Sequence, residues 1–264
     1  MRIDFHTHAF PDAIASKAIE KLAFSAGGLP HYTDGTYKQL DEVCEQAHAD
    51  KHVVLSIAVK PHQMRTVNDA AILMASDTVI PFGSVHPFAP DAKDEVRRLH
   101  DMGFKGIKFH PEYQQFEVDD PDHFPLYDLI GKLGLITVFH AGDNLGFATP
   151  PKCTPVKLKK ALPFFGEGIV VAAHMGGMNR WFEVLDHLVG TENLYLDTAY
   201  SHTHIPPMAA KEIIQAHGAH KILFGSDCPW GNIAEEMAFI HRLGFEEKEE
   251  ALILGGNAQR LLKL

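Results

Sequence analysis

The chain has 264 residues, of which 45% are hydrophobic, and its formal net charge is −10 at neutral pH. This length suffices for one large core and does not force a division into two domains. The negative charge and the lack of a Lys/Arg block argue against nucleic acid or an anionic membrane surface as a partner. A small-molecule substrate fits this composition better, and a homo-oligomer stays open.

Cysteine usage and hydropathy indicate the compartment. The three cysteines form no Cys-x-x-Cys pair and cannot all pair, so a disulfide framework is not expected and a reducing compartment is favoured. No apolar run approaches the roughly 18 residues of a membrane span. The first eight residues already carry His6 and His8, a candidate metal-binding pair, so we expect no signal peptide before them. We expect a cytosolic protein with no membrane segment.

Eight short apolar segments alternate with stretches of helical periodicity or helix-favouring composition. The predicted strands are 2–5, 52–59, 78–85, 104–109, 135–139, 169–173, 194–197 and 222–225. Unbroken alternation indicates a parallel sheet, and eight units close a (β/α)8 TIM barrel. An open doubly wound sheet is the alternative, but the first strand lacks a Gly-rich phosphate turn. We predict a single α/β domain, residues 1–264, that forms a TIM barrel.

The chain ends in a predicted short helical extension. From Glu246 the pattern indicates two short helices, broken at Gly255-Gly256, with Asn257 as the N-cap of the last. A histidine in a polar helical stretch, such as His217, is expected at the surface.

Polar groups that can bind metals follow six of the eight predicted strands. TIM barrels build their sites at the carboxyl ends of the strands, so these groups should meet at one face. They are His6 and His8, His86, Lys108 and His110, His140, His174, and Asp227. Side chains at i and i+2 of a strand share a face, so His6 and His8 could converge on one ion. Together the residues predict a metal site.

Several motifs together resemble the amidohydrolase superfamily, in order and over the whole chain. They are His6-Thr7-His8, Gly-Ile-Lys-Phe-His-Pro at 106–111, Phe-His-Ala-Gly at 139–142, Ala-His-Met-Gly-Gly at 173–177, Gly-Ser-Asp-Cys-Pro-Trp at 225–230 and Gly-Asn-Ala-Gln-Arg-Leu-Leu at 256–262. More narrowly, the chain is similar to the branch that holds aminocarboxymuconate semialdehyde decarboxylase, resorcylate decarboxylases and many metal-dependent hydrolases. The motifs are specific for fold and metal but not for substrate.

The resemblance implies that His6, His8, His140 and Asp227 hold one divalent metal, expected to be zinc. Three imidazoles and one carboxylate, with a position left for water, are also what a catalytic zinc site uses. Such a metal activates a water, Asp227 would accept its proton, and His174 would polarise the substrate or orient the water. His174 as a second metal ligand is the alternative.

Lys108 leaves a binuclear alternative open. In several branches of the superfamily a carboxylated lysine on strand four bridges two metals, and Lys108 shares a strand face with His110. In the branch that the chain resembles, a Gly-Ile-Lys-x-His-Pro stretch goes with one metal. We therefore expect one metal and treat Lys108 as a candidate contact for a substrate anion. Cys228 is interpreted as a packed residue because it neighbours Asp227 and should face the opposite way.

Loops after the strands are expected to recognise the substrate. Three are conspicuous, at 27–35, 142–155 and 200–207; the first has the Gly and Pro pattern of a lid, although an ordinary surface loop is the alternative. Seven residues are candidates for substrate contacts, although no motif identifies them specifically: His86, Lys108, His110, Tyr113, Arg180, Tyr200 and Trp230. Each of them could instead pack against the barrel.

Three functions are compatible with this pattern. The leading hypothesis is a metal-dependent hydrolase that cleaves an ester, lactone or amide bond of a small organic acid. The second is a non-oxidative decarboxylase of an aromatic or enoic acid, which would use the same ligands; the compactness of the chain tilts the interpretation towards hydrolysis. The third is a metal-binding protein without catalysis, against which the retention of Asp227 and His174 weighs.

Overall fold

The structure is a computed structural model that describes residues 1–147 and 150–264. Eight parallel strands form one sheet in chain order. They are β1 (Ile3–Thr7), β2 (Lys51–Leu55), β3 (Val79–Ser84), β4 (Gly106–Phe109), β5 (Ile136–Phe139), β6 (Val170–Ala172), β7 (Leu194–Asp197) and β8 (Ile222–Leu223). The sheet closes on itself, because the Phe5 N–H donates to Phe224 O at 2.7 Å and Thr7 bridges Cys228. The predicted (β/α)8 barrel is confirmed.

Helices surround this sheet. They are α1 (Ala15–Ser25), α2 (Tyr37–Gln46), α3 (Met64–Leu73), α4 (Ala92–Asp101), α5 (Pro111–Gln114), α6 (Phe124–Lys132), α7 (Pro155–Ala161), α8 (Trp181–His187), α9 (Pro207–His217), α10 (Ile233–Arg242), α11 (Glu247–Ala251) and α12 (Asn257–Leu262). Two helices, α1 and α2, lie in the connection from β1 to β2. No helix within the described ranges is long and apolar enough to span a membrane.

The core has an inner and an outer part. Alternate residues of the strands fill the barrel interior in one apolar cluster, which includes Phe5, Leu55, Phe82 and Val138. A larger cluster lies between the strands and the helices. Leu262 of α12 belongs to the inner cluster, so the C-terminal helix covers the amino-terminal end of the barrel. The opposite end is left for the side chains that follow the strands.

Two local predictions about helices were wrong. The side chain of Asn257 does not cap α12, which is preceded by Gly256 and has no side-chain cap. Its amide instead donates to the carbonyls of Ala219 and Ile222, both at 2.7 Å, because the Ile222 carbonyl is buried and the Ala219 carbonyl partly buried, and both need a donor. His217 is buried and not at the surface, since its Nε2–H donates to Leu194 O at 2.9 Å at the start of β7.

Candidate metal centre

An irregularity in β1 directs the first histidine into the barrel. Ile3 and Phe5 belong to the inner cluster, so strict alternation would turn His6 outward. The pairing of β1 with β2 shifts register between Asp4 and Thr7, as a bulge does. After the shift, His6 and His8 both face the carboxyl end of the barrel. Bulges re-aim side chains in this way at barrel rims and beside functional sites.

His6, His8 and Asp227 converge at this end of the barrel. Asp227 Oδ1 lies 3.3 Å from His6 Nε2 and 3.2 Å from His8 Nε2. Each of the three residues offers one atom that could ligate a metal, and these three atoms all lie within 4.8 Å of one another. The backbone brings the segments together, because the Asp227 N–H donates to His6 O at 2.8 Å. The structure thus brings His6 and His8 together with Asp227, which follows β8.

The outer nitrogens of both imidazoles are already engaged. His6 Nδ1 lies 2.8 Å from Asp197 Oδ2, and His8 Nδ1 lies 2.9 Å from Leu55 O. Both partners are acceptors, so each Nδ1 carries the proton and each Nε2 presents a lone pair. Two lone pairs and a carboxylate oxygen then face one another, and they repel unless a cation or a proton lies between them.

Asp227 is held as a carboxylate. Burial works to raise its pKa, but a hydrogen bond from the protonated ring of His8, and then the charges that His6 and His174 carry when they are protonated, lower it to about 2. Its backbone is left-handed, with a φ of 64°, which only a few per cent of non-glycine residues adopt. This conformation directs the Asp227 side chain towards the Nε2 atoms of His6 and His8. The left-handed backbone costs folding free energy on the order of 1 kcal/mol or more.

His140 and His174 form a second pair beside this cluster. His174 Nδ1 lies 3.1 Å from Ala199 O and therefore carries a proton, which leaves Nε2 as an acceptor. His174 Nε2 lies 2.9 Å from His140 Nδ1, which must then be the donor. His140 Nε2 is consequently a lone pair, and it is buried without a hydrogen-bond partner in the described part of the chain. The ring of His174 lies 5.2 Å from that of His6 and links the pair to the cluster.

Burial keeps these histidines neutral. It lowers the pKa of His174 and takes the pKa values of His6, His110 and His140 well below the ordinary value. Neutral imidazoles are the protonation state that metal binding requires.

Asp197, the last residue of β7, was not among the site residues predicted from the sequence. This carboxylate is fully buried and binds the His6 ring through Oδ2, while Oδ1 accepts from the N–H groups of His174 at 2.9 Å and Ala199 at 3.1 Å. The signal was available, because Asp197 ends the predicted seventh strand and barrel strands place functional groups at that position.

Lys108 of β4 lies next to the cluster and is fully buried. Its Nζ is 3.3 Å from His6 Nε2, and burial lowers its pKa to about 8. The lysine therefore faces a predicted metal ligand directly. Its roles as a bridge between two metals or as an anion contact stay predictions.

His110 and Tyr113 form an aromatic stack on His140. The ring of His110 lies 4.2 Å from that of His140 and 4.0 Å from that of Tyr113. The ring centroid of Tyr113 also lies 5.5 Å from that of Phe147, which is in the loop after β5. This stack forms one wall beside the candidate centre, and Tyr113 is its partly exposed end.

The remaining predicted substrate contacts lie at different distances from the centre. His86 is buried against Phe88, whose ring centroid is 6.0 Å away, and burial lowers its pKa. Arg180 is paired with Asp143 at 2.9 Å and Glu183 at 3.0 Å, so its guanidinium already has two carboxylate partners.

Tyr200 and Trp230 follow β7 and β8 and are both partly buried. The backbone N–H of Trp230 donates to the backbone carbonyl of Asp227 at 2.8 Å, which holds Trp230 beside the centre. Burial and then the charge of Asp227 raise the pKa of Tyr200 to about 12, so its hydroxyl stays protonated and can donate.

The described parts of the three loops predicted to recognise the substrate follow β1, β5 and β7. In the loop at 27–35, the Tyr32 N–H donates to Pro229 O at 2.8 Å, next to Trp230. The loop at 142–155 is described except for residues 148 and 149, which lie outside the described residues. Cys228 is fully buried, as its interpretation as a packed residue requires.

The residues fit a divalent metal. The convergent acceptors of His6, His8 and Asp227, together with the buried and unpartnered Nε2 of His140, form a set of three imidazoles and one carboxylate. Such nitrogen and oxygen donors suit zinc and other divalent first-row metals. His140 lies outside the group of three whose donors are within 4.8 Å, so its part in the set stays a prediction.

Comparison with solved structures supports the barrel. An uncharacterised TIM-barrel protein from Bordetella bronchiseptica superposes with a TM-score of 0.80 at 19% identity, over 99% of this chain and 98% of that one. A dihydroxybenzoic acid decarboxylase from Polaromonas sp. JS666, with bound manganese and the inhibitor 2-nitroresorcinol, gives 0.73 at 17% identity, over 100% and 97%. A protein from Pseudomonas putida provisionally assigned as a 2-pyrone-4,6-dicarboxylic acid hydrolase gives 0.69 at 15%, over 99% and 97%.

Sequence comparison is more specific. No curated protein matches the chain. The profile of the family described as Amidohydrolase matches residues 3–264, which includes every residue of the candidate centre. The chain therefore belongs to the Amidohydrolase family.

Proposed function

We propose that this chain is a metal-dependent hydrolase that cleaves an ester, lactone or amide bond of a small organic acid. The observation that carries the proposal is the convergence of His6 Nε2, His8 Nε2 and Asp227 Oδ1, three atoms placed so that one divalent cation could bind all of them. His140 is the proposed fourth ligand, because its buried Nε2 has no partner among the described residues.

A divalent metal held by these residues supplies Lewis acidity, which polarises a substrate oxygen and lowers the pKa of a water from about 15.7 towards about 7. Zinc is our first choice from the donor set, and manganese is the second because a manganese-bound neighbour shares the fold. Asp227, with its pKa of about 2, remains an anion at neutral pH and can accept a hydrogen bond from that water.

His174 is placed to act as the general base or to orient the substrate oxygen. Its Nδ1–H is fixed on Ala199 O, so the reactive nitrogen is Nε2, which now accepts from His140. Burial lowers its pKa, so the ring is neutral and able to take a proton at neutral pH.

The proton balance of the site favours hydrolysis. Attack by water requires an acceptor for its proton, whereas replacement of carbon dioxide by hydrogen requires a donor. The buried groups nearest the centre are mostly acceptors, namely the carboxylate of Asp227 and the neutral ring of His174. Lys108, with a pKa of about 8, is the cationic exception and faces His6.

Decarboxylation of an aromatic acid is the second candidate. It is motivated by the Polaromonas neighbour, a decarboxylase that shares the fold and holds manganese. At 17% identity the likeness shows the fold alone, and the proton balance keeps hydrolysis first.

One experiment separates the candidates. Protein loaded with Zn²⁺ or Mn²⁺ is incubated in H₂¹⁸O with a panel of lactones, esters and amides of small organic acids and with dihydroxybenzoic acids. Hydrolysis predicts ¹⁸O in the product carboxylate and no carbon dioxide. Carbon dioxide release without ¹⁸O incorporation would overturn the proposal in favour of the second candidate.

Two histidine variants report on the site. His174→Asn should lower kcat by about 100-fold or more, because the proposed base is lost. His241→Asn is the matched control, since His241 is exposed on α10 and should leave kcat unchanged. Equal turnover in the two variants would remove His174 from the mechanism.

A further inference from the structure

Asp197 connects the two halves of the candidate centre. Its Oδ2 lies 2.8 Å from His6 Nδ1. Its Oδ1 accepts from the N–H of His174 at 2.9 Å and from that of Ala199 at 3.1 Å, and its main-chain carbonyl accepts from the Met175 N–H at 2.7 Å. One fully buried residue thus contacts a proposed metal ligand and the backbone of the proposed base.

We propose that Asp197 is a positioning residue that sets the tautomer of His6 and the backbone of His174 together. The inference rests on the proposed metal-dependent function and assigns this residue a role in it. Asp197 Oδ2 accepts the His6 proton at Nδ1, so Nε2 is left as the lone pair that faces Asp227. A carboxylate behind a ligating imidazole fixes the ring and raises its basicity.

The same carboxylate stabilises an unusual turn. His174 and Met175 both have left-handed backbones, with φ of 58° and 57°. Two successive non-glycine residues in this region cost free energy, and they persist where surrounding contacts determine them. The hydrogen bonds from the N–H groups of His174 and Met175 to the side chain and the carbonyl of Asp197 are such contacts.

The substitution Asp197→Asn tests the tautomer without changing the shape of the side chain. The two backbone N–H groups that face Oδ1 require an acceptor, so the asparagine oxygen must stay there. Its NH₂ group is then turned towards His6 Nδ1, which becomes an acceptor. The His6 proton moves to Nε2 and covers the lone pair that the metal needs.

Asp4 provides a matched control. It is also a fully buried carboxyl group beside His6, and burial raises its pKa to about 7; its Oδ1 accepts from the backbone N–H groups of His6 at 3.1 Å and Ser226 at 3.0 Å and faces no imidazole nitrogen of any described residue. Its Oδ2 has no partner in the described part of the chain. Asp4→Asn therefore removes a buried carboxyl from the same region without presenting a new donor to an imidazole ring.

Two measurements decide the proposal. In the apo-protein, ¹⁵N-histidine NMR spectra should show His6 protonated at Nδ1 in the wild type and in Asp4→Asn, and at Nε2 in Asp197→Asn. Titration with Zn²⁺ against a chelating dye should give a dissociation constant raised about 10- to 100-fold in Asp197→Asn and nearly unchanged in Asp4→Asn.

The outcomes separate this inference from the proposed function. An unchanged His6 tautomer in Asp197→Asn, or a zinc affinity equal to that of the wild type, would overturn the positioning role. If the wild type does not bind zinc, the proposed metal-dependent function is wrong. The claim that Asp197 supports metal binding is then wrong as well, whichever nitrogen of His6 carries the proton.

Discussion

Protonation of His217 should account for a measurable part of any acid lability of this protein. His217 lies at the end of α9, where its Nε2–H donates to Leu194 O and its Nδ1 accepts from the Gly190 N–H at 3.2 Å. Burial lowers its pKa from 6.5 to about 4. A second proton on the ring would remove the acceptor for Gly190 and place a charge in the core.

Proton linkage gives the direction in which the free energy of unfolding changes with pH. The unfolded chain binds a proton at His217 with a pKa near 6.5, whereas the folded chain does so only near 4. The stabilisation is therefore complete above pH 6.5 and is lost as the pH falls towards 4. The difference between the two pKa values corresponds to about 3 kcal/mol at most, of which about 2 kcal/mol should be lost between pH 7 and pH 4.5.

The assay is urea denaturation of the wild type and His217→Gln at both pH values, with a chelator present. Glutamine can keep one hydrogen bond but does not titrate, so the free energy of unfolding of the variant should fall by about 2 kcal/mol less than that of the wild type. His241→Gln, at an exposed position, should follow the wild type. Parallel loss of stability in His217→Gln and the wild type would refute the reasoning.

Three further predictions concern the centre and its supports. Asp227→Asn should abolish turnover and leave the far-UV circular dichroism unchanged; full activity would exclude a role in catalysis. Gly142→Ala should lower Tm more than Gly103→Ala, because both have a φ of 85° but only the Cβ at 142 would come within 2.1 Å of Met178 N; equal losses would refute the clash. Burial raises the pKa of Glu236 to about 9, so its contribution to stability is present below pH 4.5 and lost as the pH rises towards 9. Glu236→Gln should flatten that decline in urea denaturation, and an unchanged slope would contradict the assignment.

Periodic patterns in the sequence were enough to predict the barrel and the face that carries the site. Each predicted strand overlaps an observed one, although β2 ends at Leu55, earlier than predicted. The strand-end rule placed His6 and Asp227 at one face because parallel strands in a barrel share their carboxyl ends.

Other features depend on long-range contacts that a local pattern does not encode. The inward turn of His6 depends on a register shift between β1 and β2. The burial of His217 depends on a carbonyl at the start of β7, and the tautomers of the histidines depend on acceptors such as Leu55 O, distant in sequence. These features follow from tertiary contacts and not from helix or strand periodicity.

The most direct test is an anomalous difference map from crystals of the protein loaded with Zn²⁺, measured above and below the zinc absorption edge. We expect one peak about 2.0 to 2.2 Å from His6 Nε2, His8 Nε2 and an oxygen of Asp227, with His140 as the fourth ligand. A map without a peak among these residues, or with two peaks bridged by a carboxylated Lys108, would contradict a single-metal centre.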